Sequence, residues 1–99
     1  MKTKKPVVYV MASQTNGTLY IGVTSDLSRR IFEHKSGIGS EFVKKYKCTL
    51  LVWYQFFELM VDAISFEKKL KKKIRSSKIK LIETMNPFWN DLYENVYHQ

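Results

Sequence analysis

Glu67 is the residue whose surroundings most need a chemical explanation. At about 100° per residue, Met60, Ala63, Ile64, Leu70 and Ile74 fall within about 120° of arc on one helix, and Glu67 lies near the middle of it. A carboxylate inside a buried stripe is costly unless a cation, hydrogen bonds or a metal ion compensates it. An ion pair with an arginine would do this too, with no chemistry attached. A second group precedes it: Leu27 and Ile31 mark an apolar stripe, Arg30 and His34 lie on its margin one turn apart, and Arg29 and Glu33 point away. Arg30 could offer a phosphate its planar donor fork, or pack its stem and snorkel. His34 could move a proton or be a satisfied structural histidine. Tyr9 and Tyr20 complete the set, and Gly22 leaves space beside one of the two phenols.

The elements that must carry these residues can be read from pattern. Residues 7–13 read as a strand, Gln14-Thr15-Asn16-Gly17 carries an Asn-Gly hairpin signature, and residues 18–24 form the return strand. Alternation places Tyr20, Gly22 and Thr24 on one face and Leu19, Ile21 and Val23 on the other, and Val8 and Val10 oppose Tyr9 in the same way. Thr24 or Ser25 can cap a helix over about 26–35 with Asp26 in its first turn. A loop over 36–40, a short helix over 41–46 and a third strand over 48–57 follow. A long helix covers about 59–75, and Ser76 or Ser77 caps another that ends before Asn86-Pro87. Residues 88–99 form a turn of helix against the body. Trp53, Tyr54, Phe56 and Phe57 read as sheet core rather than as a platform for bases.

Composition bounds the rest. The 99 residues give one domain with a core over about 7–93 and a flexible basic start over 1–6. Cys48 is the single cysteine and reads as a buried thiol, and two histidines supply no zinc cluster. Neither a signal peptide nor a membrane span is supported, so the expected location is the cytoplasm. Seventeen Lys and Arg face nine Asp and Glu, and eight of the seventeen fall within residues 68–80. Nucleic acid is the natural partner of such a charge, and a solvated helix face is the bland alternative.

The order Tyr9, hairpin, Tyr20-Ile21-Gly22, Arg30, His34, helical Glu67 resembles the GIY-YIG nuclease family. The second half-motif is present verbatim, and the first is reduced to Val7-Val8-Tyr9. Residues 20–37 match the family's strand-helix pattern. Lys44-Lys45-Tyr46, Leu51-Val52-Trp53-Tyr54 and Asn86-Pro87-Phe88-Trp89-Asn90-Asp91-Leu92 resemble its small bacterial, excinuclease-C-like members.

The resemblance implies an α+β fold, a three-stranded antiparallel sheet flanked by helices in the order β-β-α-α-β-α-α, with a nuclease site on one sheet face. By position it implies Tyr9 and Tyr20 as the motif tyrosines, Arg30 as the family arginine, His34 at a histidine-or-tyrosine position, Glu67 as ligand to a single Mg²⁺ or Mn²⁺, and Asn86 as the late asparagine. One tyrosine would activate water and the other orient it, and the sequence does not separate them. Arg30, Lys35, Lys44, Lys45 and Lys71 are the expected nucleic-acid contacts, and the lysine run could follow a phosphate backbone. The expected partner is duplex or branched DNA, met by a monomer or weak dimer, with a separate protein as a further candidate partner for targeting. The rival readings are a DNA- or RNA-binding domain of the same fold with impaired catalysis, and a small basic RNA-binding module.

Overall fold

The computed structural model describes residues 4–97, with eight elements: β1 (Val7–Ala12), β2 (Leu19–Thr24), α1 (Leu27–Lys35), α2 (Glu41–Tyr46), β3 (Leu50–Phe56), α3 (Met60–Lys72), α4 (Arg75–Met85) and α5 (Tyr93–Tyr97). β1 is entirely buried because it is the central strand, antiparallel to both neighbours in the order β2-β1-β3. Its alternation sorts the core into two layers. Val8, Val10 and Ala12 face Ala63 and Leu70 of α3 and Ile82 of α4, with Trp53 and Trp89 alongside. Val7, Tyr9 and Met11 face Leu27 and Ile31 of α1, Val43 of α2 and Val96 of α5. The fold is α+β, a sheet covered by helices on both sides, as expected.

The Asn-Gly hairpin forms, with an altered division of labour. Gly17 N–H donates to Gln14 C=O at 2.9 Å, and Asn16 adopts the left-handed conformation (φ 57°). Gly17 is needed for space instead: a Cβ there would stand 2.3 Å from Ser13 Oγ. Before α1, the expected capping roles shift by one residue. Asp26 occupies the N-cap position without a side-chain cap bond, and Thr24 Oγ1 accepts from Asp26 N–H at 3.1 Å.

The α3–α4 junction departs further from the sequence pattern. The helix ends at Lys72, Lys73 and Ile74 are extended, and α4 starts at Arg75, so Ser76 and Ser77 lie inside its first turn instead of capping it. Ile64 and Ile74, expected in the buried stripe, are 37% and 70% exposed. No Gly or Pro forces this break. Arg75 Nη2 donates to Asn16 C=O at 2.7 Å and Gly17 C=O at 2.6 Å, a long-range tie invisible to helix periodicity.

The outer edge of β3 is closed by the C-terminal segment. Leu92 N–H donates to Leu51 C=O at 2.7 Å, and Leu51 N–H donates to Asp91 Oδ1 at 3.1 Å. This covers backbone groups that would otherwise template strand pairing. Residues 4–6, expected to be flexible, are tied down: Lys4 pairs with Asp26 at 3.6 Å, Lys5 with Glu58 at 3.2 Å, and Pro6 C=O accepts from Phe57 N–H at 2.8 Å. Residues 1–3 of the expected flexible start lie outside the described residues. No helix among the described residues is long and apolar enough to cross a membrane.

Candidate active site

Tyr9 and Gly22 are directly paired in the β1–β2 register, and that pairing builds the site. A Cβ on Gly22 would meet the Tyr9 hydroxyl at 2.5 Å and Cζ at 2.6 Å, so the phenol lies flat over the bare backbone of β2. Its hydroxyl is 2.8 Å from Nε2 of the equally buried His34, across the face that α1 covers. Tyr20, on the same face, completes an aromatic triad: ring centroids are 6.3 Å from Tyr9 and 5.2 Å from His34.

Burial controls the electrostatics of this group. It pushes the Tyr9 phenol well above its ordinary range; Tyr20 adds to the rise, Arg30 opposes it, and Glu67 adds a further increment. His34 is held below its usual 6.5, by burial first and by the Arg30 charge second, with Glu33 opposing, so its imidazole is neutral at pH 7. His34 Nδ1 has no hydrogen-bond partner among the described residues. An unmet buried acceptor is more tolerable than an unmet N–H. The proton therefore belongs on Nε2, donated to the Tyr9 oxygen.

Arg30 and Glu67 stand on helices that cover opposite faces of the sheet. Arg30 stands on α1, and its Nη1 donates to Glu33 Oε1 at 3.4 Å. Glu33 was expected to point away, but it takes both Arg29 and Arg30, each at 3.4 Å. Gly39 brings the following loop close, with a would-be Cβ 3.1 Å from Arg30 Nη1 at φ +90°. Glu67 stands on α3, whose buried face packs against the other core layer, and its carboxylate is 13% exposed with Lys71 Nζ at 3.3 Å. Both bear on Tyr9. Tyr9, Tyr20 and His34 share the sheet face that α1 covers, and Tyr20 stands on the edge strand β2.

A cleft of about 500 Å³ opens along that edge, lined by Thr18, Leu19, Tyr20 and Ile21 on one wall and by Phe42, Lys71, Arg75 and Lys78 around it. Lys71 therefore lines the cleft. Lys44 and Lys45 are exposed on α2, and Lys45 Nζ lies 5.3 Å from the Tyr46 ring centroid. Lys35 is placed otherwise: it is ion-paired to Asp91 and donates to Thr49 C=O at 2.8 Å, so it fastens α1 to the C-terminal segment. Asn86 is also absent from the group. Its Nδ2 donates to Val52 C=O at 3.1 Å and Asn90 C=O at 2.8 Å, and its Oδ1 accepts from Asn90 N–H at 3.0 Å. That puts it beside β3, at the sheet edge opposite to Tyr20. Sequence reasoning missed Phe42, and it took Arg75 and Lys78 only as members of the basic run over 68–80 that could follow a phosphate backbone.

The donor set fits a hard divalent cation held loosely. No group of three or more His, Cys, Asp or Glu that could hold a metal ion exists among the described residues. Glu67 alone would ligate, and a small divalent ion accepts one carboxylate with waters and a phosphate oxygen completing its shell. Glu67 is largely buried and pairs with Lys71, whose side chain is 54% exposed on the cleft, so a cation can replace that ammonium without leaving a buried charge unpaired.

The profile of the GIY-YIG catalytic domain matches residues 5–80. The chain is 36% identical over 85 residues to UPF0213 proteins of Streptococcus pyogenes, among them those of serotype M5 (strain Manfredo) and serotype M3 (strain SSI-1), covering 85% of this chain and 91% of each relative. No solved structure gives a significant match.

Proposed function

The chain belongs to the GIY-YIG family of nucleases, and from that premise we propose that it is a metal-dependent endonuclease hydrolysing DNA phosphodiester bonds at the β2 edge. The observation that carries the reading is the buried Tyr9–His34 pair with the Tyr20 ring beside both, opening onto a basic cleft, and the Arg30 and Glu67 charges lie near enough to shift the Tyr9 phenol in opposite directions.

The two tyrosines take different parts. Tyr9 is buried, bonded to His34 and held protonated, so it positions rather than accepts a proton. Tyr20 faces the cleft and, as the phenolate left once its own proton has gone to solvent, takes the proton from the attacking water. The water oxygen then bonds to phosphorus as the bond to the leaving sugar oxygen breaks, and a solvent proton neutralises that oxygen. Arg30 donates to the phosphoryl oxygens as charge builds. Mg²⁺ or Mn²⁺ held by Glu67 would supply Lewis-acid stabilisation of the phosphate and the leaving oxygen.

The test is cleavage of supercoiled plasmid, linear duplex and branched DNA with Mg²⁺, Mn²⁺ or EDTA. Glu67→Gln and Arg30→Ala should each lower the rate by about 10²–10³ or more while circular dichroism stays unchanged. Full activity of either variant, or cleavage that persists in EDTA, refutes the assignment.

A further inference from the structure

The aromatic surface does not end at Tyr20. The Phe42 ring centroid stands 5.9 Å from that of Tyr20, and Tyr46 stands 4.7 Å from Phe42. Phe42 and Tyr46 are 41% and 43% exposed, and the only buried residue of α2 is Val43. Four residues apart on one helix, they continue the aromatic row outward from the site instead of entering either core layer.

The cleft that starts at Phe42 is built for negative charge. Its lining holds Lys71, Arg75 and Lys78 and no carboxylate. Arg75 is fixed by the Asn16 and Gly17 carbonyls, and Lys78 Nζ donates to Lys71 C=O at 3.1 Å. Carbonyl oxygens orient Arg75 and Lys78 without neutralising them, whereas Lys71 is paired with the Glu67 carboxylate at 3.3 Å. An exposed aromatic row beside such a wall matches the arrangement that binds a nucleic-acid strand by stacking and charge together. A volume of about 500 Å³ lies within the ~300–1,000 Å³ of sites that hold small organic ligands.

We infer that Phe42 and Tyr46 form a stacking shelf for an unpaired DNA base, while Arg75 and Lys78, and Lys71 once it leaves Glu67, hold phosphates of the same strand. The shelf's position next to the scissile phosphate rests on the proposed nuclease function; its binding of a base does not. A fully paired duplex keeps its bases stacked on each other and cannot use the shelf without extruding one.

The full chain in EDTA is titrated against single-stranded oligodeoxynucleotides carrying 2-aminopurine at successive positions, since stacking on an aromatic ring quenches this base. The wild-type protein should quench the probe, and Phe42→Ala should abolish the quench and weaken binding roughly 5- to 150-fold. Phe42→Trp should restore both. Phe88→Ala, at an 80% exposed site after α4, should change neither. If Phe42→Ala fails to fold, Tyr46→Ala decides instead. Quenching that survives both alanine variants overturns the shelf, as does tighter binding of the matched duplex or of an RNA strand. Cleavage without quenching would fail the shelf alone, and quenching without cleavage would fail the nuclease reading alone.

Discussion

Tyr9 and Tyr20 are the same residue type on neighbouring strands, and burial separates what they can do. Tyr20→Phe should lower the cleavage rate by about 10²–10⁴, the usual loss for a general base. Tyr9→Phe removes one positioning hydrogen bond and should cost about fivefold, given roughly 1 kcal/mol for such a bond; single-turnover rates separate the two. His34 adds a pH signature. The unfolded chain protonates this imidazole near 6.5, and the folded protein does so only at lower pH. Unfolding free energy from this group is therefore complete above pH 6.5 and is lost as pH falls through the folded pKa. Melting curves between pH 5 and 8 should show that acid-side slope, and His34→Gln should flatten it.

At the scale of elements, β2 and β3 are the two edges of one sheet with opposite duties. Gly22 lets the Tyr9 phenol cross β2. Gly22→Ala should displace that ring, cost about 1–3 kcal/mol through overpacking, and reduce cleavage even at temperatures where the variant is fully folded. A variant that keeps full activity would show that the ring's position does not matter. β3 is closed by Asn86 and Asp91, and the three hydrogen bonds of Asn86 are spent on chain geometry. Asn86→Ala should therefore lower stability by about 2–4 kcal/mol, read by thermal melting, while the cleavage rate of the folded fraction stays close to wild type. A rate defect without a stability defect would return Asn86 to the chemistry. The strands, hairpin and both long helices were legible because their apolar period is local. The α3–α4 break was legible too, but it falls earlier than the pattern placed it, and Arg75 there is held by a turn far away in sequence.

The whole molecule carries a formal charge of +8, concentrated where it can act. Three cations line the cleft. If all three meet phosphates of a single strand, the slope of log binding constant against log salt should be near −2, at about −0.7 per contact. Arg75→Ala and Lys78→Ala should each make that slope shallower by about 0.7, measured by anisotropy of a labelled strand between 50 and 200 mM salt. Lys35→Ala should leave the slope unchanged and lower the melting temperature, because Lys35 is committed to Asp91 and Thr49.

Sequence by itself put Tyr20 and Gly22 on one face of a strand and Glu67 within an apolar arc, since each follows from a period of 2 or 3.6 within one element, and the α+β class came with the family resemblance. It also carried the family through Tyr20-Ile21-Gly22 and the spacing after it. Only the tertiary structure decided which tyrosine is buried, that the helices of Arg30 and Glu67 cover opposite faces of the sheet, that Lys35 and Asn86 serve packing, and that a basic cleft with an aromatic row opens at β2. Those outcomes depend on which elements become neighbours, and periodicity within one element has no information about the element that will stand across from it.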